Sequence, residues 1–105
     1  MKEIVVLCTA KDKAEAKTIA KALVQKRLAA CVNIVAQIES IYMWKGEVCE
    51  DGEALMIIKS FDGLFLKLER EIKSMHSYEV PEIAAVKMDE LSADYAKWMK
   101  DVLKS

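Results

Sequence analysis

Cys31 to Lys59 reads CVNIVAQIESIYMWKGEVCEDGEALMIIK, and this stretch decides the fold. Its first part alternates. Val32, Ile34, Ala36 and Ile38 share one face, and Asn33 and Gln37 lie on the other, the period of a half-buried strand. The alternation slips before Ile41-Tyr42-Met43-Trp44, where every residue is apolar or aromatic. A bulge near Glu39-Ser40 accounts for the slip. Lys45-Gly46 carries a turn signal and Asp51-Gly52 another. The reversal is placed at Lys45-Gly46, and Val48 to Lys59 is the returning strand. Each strand exceeds the usual 5–6 or so residues, so the stretch reads as one long β-hairpin.

Helix signals stand on both sides of it. Upstream, Ile4-Val5-Val6-Leu7 is a short apolar run that suits a strand. Asp12 and Glu15 follow at capping-box spacing. Ala16, Ile19, Ala20 and Leu23 then form one apolar helical face, with Lys26 and Arg27 placed in the last turn. Downstream, Ser60 or Asp62 is expected to cap a second helix whose apolar face holds Phe61, Leu64, Phe65, Leu68, Ile72 and Met75. Val80-Pro81 breaks the chain, and Ile83 to Met88 reads as a strand. Ser92 caps a last helix carrying Tyr95, Trp98, Met99, Val102 and Leu103 at helical spacing. The order β-α-β-β-α-β-α is the split βαβ pattern of an α+β, ferredoxin-like sandwich with an extra C-terminal helix. Residues 1–105 form one domain, with expected strand order 4-1-3-2.

Composition narrows the function. The chain has 105 residues, of which 53% are hydrophobic, with only 3 Gly and 1 Pro, which excludes disordered and low-complexity classes. No apolar run approaches the roughly 18–20 residues that cross a bilayer. The 16 basic and 17 acidic residues are interleaved, for a net charge of −1. No basic stripe stands apart, so neither nucleic acid nor a membrane surface is an expected partner. Cys8, Cys31 and Cys49 are an odd set. With no signal-peptide pattern, they are expected to stay reduced in the cytoplasm. There is no Gly-rich phosphate loop and no GxSxG motif. A Cys8–His76 nucleophile pair lacks an orienting Asp, so the expectation is a protein that is not an enzyme.

The topology gathers certain residues. Strand 1 ends at one edge of the sheet with Cys8, and the second helix ends at the same edge with Met75 and His76. Thiol, thioether and imidazole together make a soft site that favours copper, Cu(I) above all. Each also has an ordinary structural role: a buried Cys as a small hydrophobe, Met75 as part of an apolar face, His76 as a partner of the helix dipole. Cys31 falls at the opposite end. Glu53, Lys59, Glu79 and Glu82 are read as ligand groups of a cleft or as solvated or interface ion pairs. Ile41, Tyr42, Met43 and Trp44 are apolar on both faces, which is rare on a monomer. They are expected to pack against a neighbouring subunit.

These motifs resemble the CutA divalent-cation-tolerance family. The resemblance runs along essentially the whole chain. It rests on Leu7-Cys8-Thr9, Leu28-Ala29-Ala30-Cys31-Val32-Asn33, Tyr42-Met43-Trp44-Lys45-Gly46, Glu53, Ile58-Lys59, His76-Ser77-Tyr78-Glu79-Val80-Pro81-Glu82-Ile83 and Tyr95-Ala96-Lys97-Trp98. It implies a homotrimer similar in plan to PII signalling proteins, a cytoplasmic location, and binding of copper and other divalent cations. It implies metal ligands at Cys8, Met75 and His76. The alternative function is a PII-like signalling or scaffold module acting through inter-subunit clefts. Two departures stand out: Met75 replaces a second histidine of some relatives, and Ser77 replaces a common proline. The added thioether favours Cu(I).

Overall fold

A computed structural model describes residues 1–104. The elements are β1 (Glu3–Ala10), α1 (Lys13–Gln25), β2 (Cys31–Trp44), β3 (Glu47–Phe61), a single 3-10 turn (Asp62–Leu64), α2 (Phe65–Met75), β4 (Ala84–Lys87) and α3 (Ala93–Leu103). The sheet order is β2-β3-β1-β4, antiparallel throughout. This is the expected ferredoxin-like α+β sandwich with its added helix.

The core follows from strand parity. Side chains alternate across a sheet, and Ile4, Val6, Cys8 and Ala10 of β1 all point to one face. They meet Ala54, Met56 and Ile58 of β3, with Cys8 opposite Met56 and Val6 opposite Ile58. Ile19 and Leu23 of α1 and Leu68 and Ile72 of α2 close this layer. On the other parity Val5, Leu7, Leu55 and Ile57 are only half-buried. There α3 packs through Met99 on Ala30 and Phe61. Val35 and Val86 remain exposed. Met56 and Met99 fill core positions completely, as their apolar surroundings predict.

Beyond the core, β2 and β3 run on as a two-stranded ribbon to the pair Trp44–Glu47. Its turn is Lys45-Gly46, with φ of 51° and 81°. Left-handed geometry at both central residues matches the twist of a tight hairpin. Along the ribbon Ile41, Met43 and Val48 are 69%, 65% and 67% exposed.

Several boundaries differ from expectation. The register shift falls between Val35 and Ile38, earlier than Glu39-Ser40. The unpaired residues are Ala36 and Gln37, where the apolar pattern alone shows no break. Strand β3 is longer than read from the sequence and β4 shorter. Neither Ser60 nor Asp62 caps α2, whose first residue has no side-chain cap. The Asp62 carboxylate accepts from the Lys2 backbone N–H at 3.0 Å, and the Ser60 hydroxyl donates to the Leu28 carbonyl at 2.6 Å.

At α1 the Asp12 carboxylate accepts from the Glu15 N–H at 2.8 Å, as expected of the cap. Glu15 does not complete the reciprocal half at Asp12; it accepts from the Lys11 N–H instead, at 3.0 Å. The helix ends before the two cations expected in its last turn. Lys26 is the C-cap, and Arg27 adopts the left-handed region at φ 56°. Leu28 N–H then reaches the Leu23 carbonyl at 2.9 Å, and Arg27 N–H the Val24 carbonyl at 3.1 Å. This is a Schellman cap built on arginine. The Arg27 side chain ties the cap to α3 by donating to the Val102 carbonyl at 2.7 Å.

Candidate functional site

The chain leaves α2 at His76, whose backbone N–H still bonds the Ile72 carbonyl. It then crosses the end of β1. His76 Nε2 lies 2.7 Å from the Thr9 carbonyl oxygen, and Nδ1 accepts from the Tyr78 backbone N–H at 3.1 Å. A carbonyl can only accept and an amide N–H only donate, so these partners assign the ring proton to Nε2. The turn is pinned a second time. Glu15 Oε2 accepts from the Ser77 N–H at 2.9 Å. Burial works to raise the Glu15 carboxyl, but the bonds from Lys11 and Ser77, with help from His76, outweigh it and hold the group below its ordinary value.

The expected convergence at this edge is present, with a particular geometry. His76 sits on the carbonyl of the residue after Cys8. Met75 packs against the same buried cluster that contains Cys8. Cys8 itself points inward and is fully buried, its thiol 3.7 Å from the Thr9 carbonyl. Burial, then the charges of Glu82, Glu15 and Glu53, push that thiol up to about 12. It is a protonated thiol at neutral pH. The signal for its orientation lies in the sequence: Cys8 shares parity with Val6 and Ala10 on β1. Among the described residues no group of three or more His, Cys, Asp or Glu stands ready to hold a metal ion. Cys31 pairs with Lys59 at the other end of the sheet. All three cysteines are free.

Beside this edge the turn and the hairpin enclose a cleft of about 630 Å³. Tyr42 and Trp44 wall it from the hairpin; Tyr78, Glu79 and Glu82 wall it from the turn; Glu53 lies among them. The Tyr78 hydroxyl donates to Glu53 Oε2 at 2.6 Å. Burial, then this bond and the Glu53 charge, push the Tyr78 phenol far above its ordinary value. The Tyr78 and His76 ring centroids are 4.7 Å apart. Thus Thr9, His76, Tyr78 and Glu53 form one connected set. Sequence reasoning did not link them, because the bonds span 67 and 25 positions and follow no period.

The charges here are uncompensated. Ion pairs among the described residues join Lys26 to Glu71, Lys73 to Glu69 and Lys97 to Asp101; Glu53, Glu79 and Glu82 enter none. Lys59 instead donates to the Asn33 side chain. Tyr42 donates to Asp51 across the ribbon.

The fold and this edge define a ferredoxin-like α+β protein whose chemically distinctive groups meet where β1 ends. The family model described as CutA1 divalent ion tolerance protein matches residues 4–102, and the chain belongs to that family. It is 48% identical to the divalent-cation tolerance protein CutA of Thermus thermophilus over 99 residues, 94% of this chain and 96% of that protein. It is 47% identical to protein CutA of Homo sapiens over 90 residues, 86% of this chain and 50% of the human protein. Its fold matches a structure described as the periplasmic divalent cation tolerance protein CutA from Archaeoglobus fulgidus with a TM-score of 0.95. That match has 34% identity and covers 97% of this chain and 99% of that one. No helix among the described residues is long and apolar enough to cross a membrane.

Proposed function

We propose that this chain serves divalent-cation tolerance as a cytoplasmic homotrimer that binds copper, and more weakly other divalent cations, at Cys8, Met75 and His76. The observation that carries the reading is the 2.7 Å contact of His76 with the Thr9 carbonyl, which ties the end of α2 to the end of β1. A thiol, a thioether and an imidazole are then neighbours of one strand end, a ligand set suited to Cu(I). The resting edge is closed. Copper must displace the Cys8 proton, and His76 must release the Tyr78 N–H to offer the Nδ1 lone pair. Binding is therefore coupled to opening of the turn after α2. Three free thiols support a reducing compartment.

The trimer is supported by the exposed apolar ribbon at Ile41 to Val48 and by the half-covered second face of the sheet. A chain of this size exposing both has a surface that association buries. Light scattering is expected to give three times the subunit mass, and replacing Ile41 and Met43 together by Ser is expected to lower it. A monomeric parent at micromolar concentration sinks the trimer.

For copper the test is an anaerobic titration under reducing conditions against a competing chelator. Cys8→Ser is expected to weaken binding most, His76→Ala next and Met75→Leu least, with Cys31→Ser unchanged. If Cys8→Ser and His76→Ala bind as the parent does, copper is held elsewhere.

A further inference from the structure

One side chain joins the two segments that meet at the end of β1. Glu15 stands in the first turn of α1, its backbone N–H held by the Asp12 carboxylate at 2.8 Å. Its two carboxylate oxygens serve different segments. Oε1 accepts from the Lys11 N–H at 3.0 Å, in the connection from β1 to α1. Oε2 accepts from the Ser77 N–H at 2.9 Å, in the turn after α2. His76 adds a second tie between the same two segments, through the Thr9 carbonyl at 2.7 Å.

What these ties seal is Cys8, whose side chain has no exposed surface. On its face of the sheet it is covered by the core residues of α1 and α2. At the strand end the cover is residues 76–83, which form neither helix nor strand. Met75 and Ile83, at the two limits of that segment, pack against the cluster that contains Cys8. A segment without regular structure opens at far lower cost than a core helix. Opening of this turn is therefore the cheapest route to the Cys8 sulfur, and the bonds to Glu15 set its cost. A proline at position 77 would have no N–H to offer, so the tie to Glu15 exists because residue 77 carries a backbone donor.

We infer that Glu15 is a positioning residue that latches the turn over Cys8 and sets how fast a metal ion or a thiol reagent reaches that sulfur. The inference rests on the copper reading for what the latch serves, and on the geometry alone for its existence.

The test is the rate at which a small methanethiosulfonate modifies Cys8 at fixed pH, without denaturant and without copper. The full chain carries Cys31→Ser and Cys49→Ser, so that one thiol reports. Glu15→Ala is expected to speed modification about tenfold or more, the scale of one hydrogen bond to a charged acceptor. Ser77→Pro removes the donor of the same bond, and the extended backbone of His76, at φ −78° and ψ 141°, accepts a following proline. It is expected to speed modification several-fold when Glu15 is present and to add nothing once Glu15 is alanine, as two partners of one bond do. Ile72→Val weakens the core without touching the turn and is expected to leave the rate unchanged. Three outcomes overturn the inference: Glu15→Ala reacting at the parent's rate, Ser77→Pro acting equally with and without Glu15, or Ile72→Val speeding the reaction as much as Glu15→Ala. Because no copper enters this test, failure of the latch and failure of the copper titration are separate results.

Discussion

The same two strands live in two environments. In the body, β3 presents Ala54, Met56 and Ile58 with no exposed surface at all, backed by α1 and α2. A few residues earlier, Val48 on the same strand is 67% exposed, with only β2 beside it. Both regions are apolar and both are paired in register. The difference is the third layer. An isolated two-stranded ribbon is marginal in water, so the body can stand on its own packing while the ribbon depends on what covers it. Apolar residues mark both places, and only the neighbouring helices tell a core from an exposed ribbon.

The comparison breaks most sharply in the body. Ile72→Ala removes a fully buried side chain from α2 and is expected to cost about 2–5 kcal/mol, read from the urea midpoint. A loss as small as that of an exposed ribbon residue contradicts the contrast.

At the seam between the regions, Glu15 holds the turn after α2. Its folded carboxyl titrates below its ordinary value. Its contribution is therefore complete above the unfolded value of about 4.3 and is lost as pH falls through the lower folded one. Glu15→Gln is expected to flatten the acid limb of the stability curve in that window. Urea midpoints taken across the acid range check this, and an unchanged limb removes Glu15 from the linkage.

The smallest effect is expected at the ribbon's tip. Lys45 carries φ of 51°, which asparagine tolerates better than lysine. Lys45→Asn also gives up a cation–π contact, with Nζ 5.9 Å from the Trp44 ring centroid and worth about 0.5–1 kcal/mol at exposed sites. The two effects oppose, and a net change within about 0.5 kcal/mol is expected. A larger loss on thermal melting assigns the turn a role beyond geometry.

Strand parity and helical spacing made the element order, the turn at Lys45-Gly46 and the caps Asp12 and Ser92 readable from residues alone. The bulge was misplaced because Val35, Ala36, Ile38 and Ile41 tolerate several registers; pairing with β3 selects one. The cap of α2 was misread because Asp62 has a distant competitor, the Lys2 N–H, which no local pattern reveals. At the candidate site, topology brought Cys8, Met75 and His76 to one edge. The bonds that define that edge, from Glu15 to Ser77 and from Tyr78 to Glu53, are long-range and aperiodic. They depend on the folded path of the turn, and no spacing rule encodes them.

β2 is an outer strand of the sheet and, with β3, one of its two long ones. Its 14 residues span about 43 Å at roughly 3.3 Å per step, with one side of the backbone unpaired along that length. Open edges of this kind recruit any extended chain. Folding of the subunit therefore leaves that edge open to strand addition by any partly folded chain nearby. A local surplus of half-folded chains favours such addition, and dilution slows it. The yield on refolding then depends on how long that edge stays open as well as on how stable the core beneath it becomes.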